Sequence, residues 1–293
     1  MTLGESPEGI SSPIPEVESL LQEALELADG EEWEGVIDLL VGGLERFPGD
    51  AYLLCWLGLA EQELGEEGSA YDHFRQALEA APEDPVLLAT AGNALAAFDD
   101  PMAEGALRSA ALLAPDLPQA RWMYGAYLSR EGMLEEALTH LEAAVALDAE
   151  DAVIHVELGA ARALAGDLEQ ASLSFARATE LAPEDGWPEV LFGLARFLVG
   201  ELEEALGPIA RGADLREDDV EAQLLSALLF AAGGWDARAL EMLERARLVA
   251  GPGDRDLLLE VDQRIEEGEE AALQFLEEGF AAAALRERLM QRP

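Results

Sequence analysis

Small and bulky apolar residues recur along this chain in aligned columns, at an interval far longer than any helical or strand period. A small residue falls at Gly58, Gly92, Gly125, Gly159 and Gly193, in steps of 34, 33, 34 and 34, and Ala24 and Ala227 continue the series at either end. A second small column runs Val36, Ala70, Ala103, Ala137, Ala171, Ala205, Ala239, and four positions after each stands a bulky one: Leu40, Phe74, Leu107, Leu141, Phe175, Ile209, Leu243. A third column is Gly43, Ala77, Ala110, Ala144, Ala178, Gly212, Ala246. Small residues let helix axes approach while a bulky neighbour fills the space beside them, so each unit reads as a hairpin of two helices.

Punctuation agrees with that reading. The turn inside a unit carries Gly30, Gly65, Gly132, Gly166, Gly200 or Gly234, as expected where a helix ends in a left-handed conformation. Phe98-Asp99-Asp100-Pro101 replaces the glycine in the third unit, where the one-residue deletion falls. Between units stand Pro48, Pro82, Pro115 and Pro183, or acid pairs such as Glu83-Asp84, Glu150-Asp151 and Glu184-Asp185, which stop one helix and cap the next. Seven units then start at Val17, Ala51, Pro85, Pro118, Ala152, Gly186 and Val220, ending at Gly251. Residues 1–16, with Pro7, Pro13 and Pro15, read as a flexible arm; 252–293 read as capping helices over roughly 255–267 and 269–291.

This 34-residue pattern resembles the tetratricopeptide repeat family. The resemblance implies an all-α fold, a right-handed superhelical α-solenoid of seven helix-turn-helix repeats with a C-terminal capping pair. Units 2, 4 and 5 match best, whereas unit 1 has Ala24 and Gly43, and unit 7 has Ala227, where the pattern asks for glycine, alanine and glycine.

Charge narrows the function classes. The chain carries 61 acids against 18 bases, a net −43, and every base is arginine. Without lysine there is no phosphate-loop GK[ST], kinase-type lysine, pyridoxal Schiff base or Ser-Lys dyad. So negative a chain is repelled by nucleic acid and by anionic lipid, so neither is an expected partner. Half the residues are apolar, enough for a core. The longest uncharged helix-like runs, Pro85 to Phe98 and Ala222 to Trp235, are 14 residues each, short of the roughly 20 that a membrane span needs. The opening MTLGESPEGI has no basic n-region and no apolar h-region, and the single Cys55 has no disulfide partner; a cytoplasmic location is the expectation.

Metal and nucleophile motifs are missing: no HExxH, CxxC, EF-hand loop or GxSxG. His73 and His140 hold equivalent places in units 2 and 4, and His155 falls at a core-type position. Cys55, among Tyr52, Leu54 and Trp56, reads as an apolar filler, and Trp33 and Trp235 beside turns read as packing residues. The expectation is a non-enzyme with no catalytic residues, cofactor or metal.

In tetratricopeptide arrays the first helices line a concave groove, and the resemblance implies that unit positions 2, 5, 9 and 12 point into it. The candidate groove residues are Tyr52, Cys55, Leu59, Val86, Asn93, Trp122, Ala126, Val153, Val156, Trp187, Val190, Leu194, Phe197, Leu224 and Leu228. Across units 2 to 7 there are 24 such positions, and Glu221 is the one acid among them; at 61 acids in 293 residues about five would be expected. The carboxylate clamp by which chaperone-binding members hold acidic peptides needs a lysine, so Asn93 alone does not build it. Tyr52, Trp122, Trp187 and Phe197 suit instead an apolar peptide or amphipathic helix, with basic flanks where the acidic rim steers it. The partner is thus a protein or peptide, and homo-oligomerisation stays open. Two alternatives stand beside this: some inward positions pack between helices, and the outer acids serve solubility or salt adaptation alone.

The chain's own end poses the same choice. Leu273, Leu276, Phe280 and Ala284 form an apolar stripe on the last predicted helix, followed by Arg286, Arg288 and Arg292. That helix either caps unit 7, or docks into a groove, its own or a neighbour's.

Overall fold

Aspartate opens the first helix of most repeats, and its spacing carries the 34-residue step into three dimensions. In the computed structural model, which describes residues 13–290, Asp50 accepts from the amides of Tyr52 and Leu53 at 3.0 and 3.1 Å. Asp84 does the same for Val86 and Leu87, Asp151 for Val153, Asp185 for Trp187 and Asp219 for Ala222. In each acid pair the aspartate, whose short side chain reaches the exposed amides of its own first turn, does the capping; such a cap contributes about 1 kcal/mol.

The chain divides into two compact units, 1–127 and 128–293. The first holds α1 (Pro15–Asp29), α2 (Trp33–Arg46), α3 (Ala51–Glu63), α4 (Glu67–Glu79), α5 (Pro85–Ala96), α6 (Met102–Leu113) and most of α7 (Pro118–Arg130). The second holds α8 (Leu134–Leu147), α9 (Ala152–Leu164), α10 (Leu168–Leu181), α11 (Gly186–Leu198), α12 (Leu202–Leu215), α13 (Val220–Ala232) and α14 (Asp236–Val249). It closes with α15 (Arg255–Glu267), α16 (Glu269–Phe275), a π-turn over Leu276–Phe280 and α17 (Ala281–Met290). Among the described residues there is no strand, and no helix is long and apolar enough to cross a membrane. The architecture is the paired-helix α-solenoid that the repeat predicts.

Its columns are the core. Leu40, Phe74, Leu107, Leu141, Phe175, Ile209 and Leu243 are all at most 1% exposed. The glycine of the first helix abuts the bulky residue of the second: a Cβ on Gly159 would stand 2.5 Å from the Phe175 ring, and one on Gly193 would stand 2.9 Å from the Ile209 backbone nitrogen. Turn geometry follows the glycines except in the first and third repeats. Gly30 has φ −91° and the left-handed position passes to Glu31 (φ 58°); in the third repeat Asp99 takes it at φ 54°.

Both chain ends differ from the sequence expectation. Of the arm expected over 1–16, Pro15 and Glu16 already belong to α1, and residues 1–12 lie outside the described residues. The single last helix expected over 269–291 is broken at Gly279, whose φ of 131° side-chain-bearing residues rarely adopt. α15 and α16 pack on α13 and so cover the last repeat, while α17, redirected by the break, packs on α9 and α11. Leu276 and Ala284 of the expected stripe are buried, Leu273 and Phe280 only partly; beyond the break the buried set is Ala281, Ala284, Leu285, Arg288 and Leu289.

Candidate functional site

In the first unit the candidate groove positions form a mixed surface. Val86 is 41% exposed, Tyr52, Leu59, Asn93 and Trp122 are half-buried, and Cys55 and Ala126 are buried. The Tyr52 hydroxyl donates to Asp84 Oδ2 at 3.3 Å; burial first, then the Asp84 charge, raise the phenol above its ordinary value. Burial and Asp84 also push the Cys55 thiol up to about 12. The filler reading of Cys55 thus has a chemical consequence: in the native protein at neutral pH the thiol should resist iodoacetamide over hours and react once denaturant exposes it, as measured by mass spectrometry. Rapid native alkylation would contradict its burial.

In the second unit the candidates separate sharply. Val153 is 42% exposed and Val156 and Trp187 are half-buried, but Val190, Leu194, Leu224 and Leu228 are fully buried and Phe197 is 6% exposed. These last five share one core with Val261, Ala272, Leu276, Ala281, Leu285 and Leu289 of the C-terminal segment. These five are core residues, and the chain's end packs on the two helices that carry them, α17 on α11 and α15 and α16 on α13. Trp235, expected to be a packing residue, is 59% exposed.

The most organised polar cluster lies where α17 crosses α11 and the start of α13. Arg288, 4% exposed, donates from Nη1 and Nη2 to the two oxygens of Asp219, each at 2.9 Å, and from Nε to Glu221 Oε2 at 2.9 Å. Its guanidinium also lies 5.2 Å from the Trp187 ring centre, and Arg216 lies 5.1 Å from the same ring. Burial alone would raise the Asp219 carboxyl, but hydrogen bonding and charge from Arg288, the Ala222 amide and Arg216 outweigh it and hold the group below its ordinary value. At Glu221 burial wins over Arg288, and the nearby Asp219 and Glu287 charges add to it, so that carboxyl is raised. Asp219 thus meets Arg288 with both carboxylate oxygens, and Glu221 with one.

Beside this cluster opens a cavity of about 360 Å³, walled by Val153, Val156, Ala160, Trp187, Leu191 and Leu289 with Arg130, Glu157, Asp185, Arg216 and Arg288 among them. Arg130 and Glu157 form a nearly fully buried ion pair at 2.9 Å. The sequence did not single out Asp219, Glu221 or this pair as a site, although Trp187 and Arg288 were both candidates, one for the groove and one for the docking end. The histidines have structural partners: His73 Nδ1 lies 2.6 Å from Glu61 Oε2, and His155 Nε2 lies 3.0 Å from the Ala149 carbonyl oxygen. Among the described residues no group of three or more His, Cys, Asp or Glu is placed to hold a metal ion. The arrangement can hold a helix and a guanidinium.

The fold defines a helix-turn-helix repeat protein. The sequence signature of the tetratricopeptide repeat matches residues 51–84, one unit of the array. Among solved structures, the APC/C hetero-tetramer Cut9-Hcn1 superposes with a TM-score of 0.66 at 19% identity, over 81% of this chain and 48% of that one. PilW, a type IV pilus biogenesis factor, matches at TM-score 0.60 and 19% identity over 69% of this chain and 94% of its own. A thermophilic TPR protein of Thermus thermophilus matches at 0.53 and 22%, over 61% and 98%. At these identities the likeness is one of fold. No curated protein matches the chain. With the 34-residue columns, the matched unit and the shared fold, the chain is a tetratricopeptide-repeat protein. Proteins of this family generally serve protein–protein interaction.

Proposed function

We propose that the protein is a non-enzymatic cytoplasmic scaffold that binds a polypeptide, an apolar segment or an amphipathic helix with basic flanks, on the inner faces of its first helices. The observation that carries this reading is α17: a helix with an apolar face and a buried arginine lies against α9 and α11 of the chain's own second unit. A surface that holds one such helix has the chemistry to hold another. The net charge of −43 favours approach of a basic partner and makes that approach weaken with salt.

Position-specific cross-linking tests the reading. A photoreactive residue at Val86 or Val153, 41% and 42% exposed on α5 and α9, should capture the same polypeptide from a cell lysate. One at Leu173, 60% exposed on the second helix α10, should not capture it. Equal capture from all three positions would show that the inner helices have no privileged role.

A further inference from the structure

We infer that the recess formed by Trp187, Asp219 and Glu221 is an arginine-receiving site for an amphipathic helix of another polypeptide, and that α17 is its resident, exchangeable occupant. This rests on the scaffold reading above and adds the partner's chemistry: a helix presenting an arginine with leucine three residues before and one after, as Leu285, Arg288 and Leu289 stand on α17.

The recess is matched to a guanidinium rather than to positive charge in general. Asp219 takes both Nη groups, Glu221 takes Nε, and the Trp187 ring supplies an aromatic face to the same planar group. An ammonium offers no such fork. The acids are also placed for the task. Asp219 is the N-cap of α13 and so is fixed by its bond to the Ala222 amide, and Glu221 is the lone acid of the 24 inward positions.

Three observations make the occupant exchangeable. First, the seat is open on one side: a cavity of about 360 Å³ borders Arg288 and Leu289 of α17 together with Trp187 and Val156. Second, burial opposes the charged form of all three groups of this cluster and so offsets part of their attraction: it outweighs Arg288 at Glu221, and is outweighed at Asp219 and at Arg288 itself. Third, α17 is ten residues long and joins α16 through Gly279, so that it is a separate short segment beyond the break. While α17 is seated, only the small unseated fraction of molecules receives an outside helix, and the partner's apparent affinity falls by that fraction.

The test uses the full-length chain and a fluorescent synthetic peptide covering residues 276–293. The full chain carrying Arg288→Gln should bind this peptide about tenfold or more tightly than the unaltered chain, because its own α17 competes less. The peptide carrying Arg288→Gln should bind neither chain measurably. Asp219→Asn together with Glu221→Gln should abolish peptide binding, while the asparagine still caps α13 and the helical circular dichroism is kept. Should the Arg288→Gln chain fold poorly, Gly279→Ala offers a second route, since it strains the break without touching the recess. With the unaltered chain, saturating peptide should speed amide exchange in α17. No gain in affinity from either unseating variant, or an equal gain for the peptide lacking arginine, would overturn the inference. So would a dimeric mass of the unaltered chain that falls to a monomer in Arg288→Gln, which would make a second copy the occupant. If cross-linking at Val86 persists while these arms fail, the scaffold reading stands and this inference alone is lost.

Discussion

Phe175→Ala is expected to lower the stability of the second unit by about 3–5 kcal/mol, read as a shift in the denaturant midpoint of unfolding. The Phe175 ring is fully buried on α10 and lies so close to α9 that a Cβ at Gly159 would meet it at 2.5 Å. Glycine at 159 brings the two backbones together and the ring fills the gap that this approach leaves, so the partner surface cannot collapse into the space that alanine would vacate. Gly159→Ala should also be destabilising, by overpacking of about 1–3 kcal/mol despite alanine's better helix propensity. A loss below about 1 kcal/mol for Phe175→Ala would mean that the hairpins are not held by this interlock.

Arg130→Met should cost a similar amount, about 3–5 kcal/mol, for a different reason. Arg130 and Glu157 meet at 2.9 Å with side chains 6% and 5% exposed, so removing the arginine leaves a carboxylate buried without that partner. The attraction of the pair in the native protein is offset by the desolvation of both ions, which is why the second substitution matters. Arg130→Met with Glu157→Met should recover most of the loss, because an apolar pair of similar volume carries no stranded charge. A double variant no better than the single one would assign the cost to packing.

The repeat was legible in the sequence because its causes are short-range. A cap spans two or three residues, as with Asp50 and Tyr52, and the close approach of Gly159 to Phe175 links neighbouring helices of one hairpin. Such contacts recur in every unit, so they leave a period that can be counted. The turn of the first repeat was misplaced by one residue because Glu31, a residue type with no preference for the left-handed region, occupies it beside an available Gly30. The 34-residue step does distinguish them, since Glu31, not Gly30, stands one step before Gly65.

The site was legible only in part. Unit positions named Trp187 as an inward residue and the chain's end as a docking candidate with Arg288, while the scarcity of acids was read only as an apolar surface. Yet an inward unit position is not the same as an accessible one: Val190, Leu194, Phe197, Leu224 and Leu228 are buried and share one core with the C-terminal segment.

By itself, then, the sequence determined the helices, their pairing, their caps and the 34-residue step, since each depends on residues adjacent in the chain or in the next helix. The tertiary structure decided which inward positions are buried and where the C-terminal segment lies. That decision hangs on Arg288 meeting Glu221 and Asp219 across 67 and 69 residues of chain, and on one glycine, Gly279, at φ 131° turning α17 back toward them. These contacts belong to the C-terminal segment and are not repeated from unit to unit, so they leave no period in the sequence to be read.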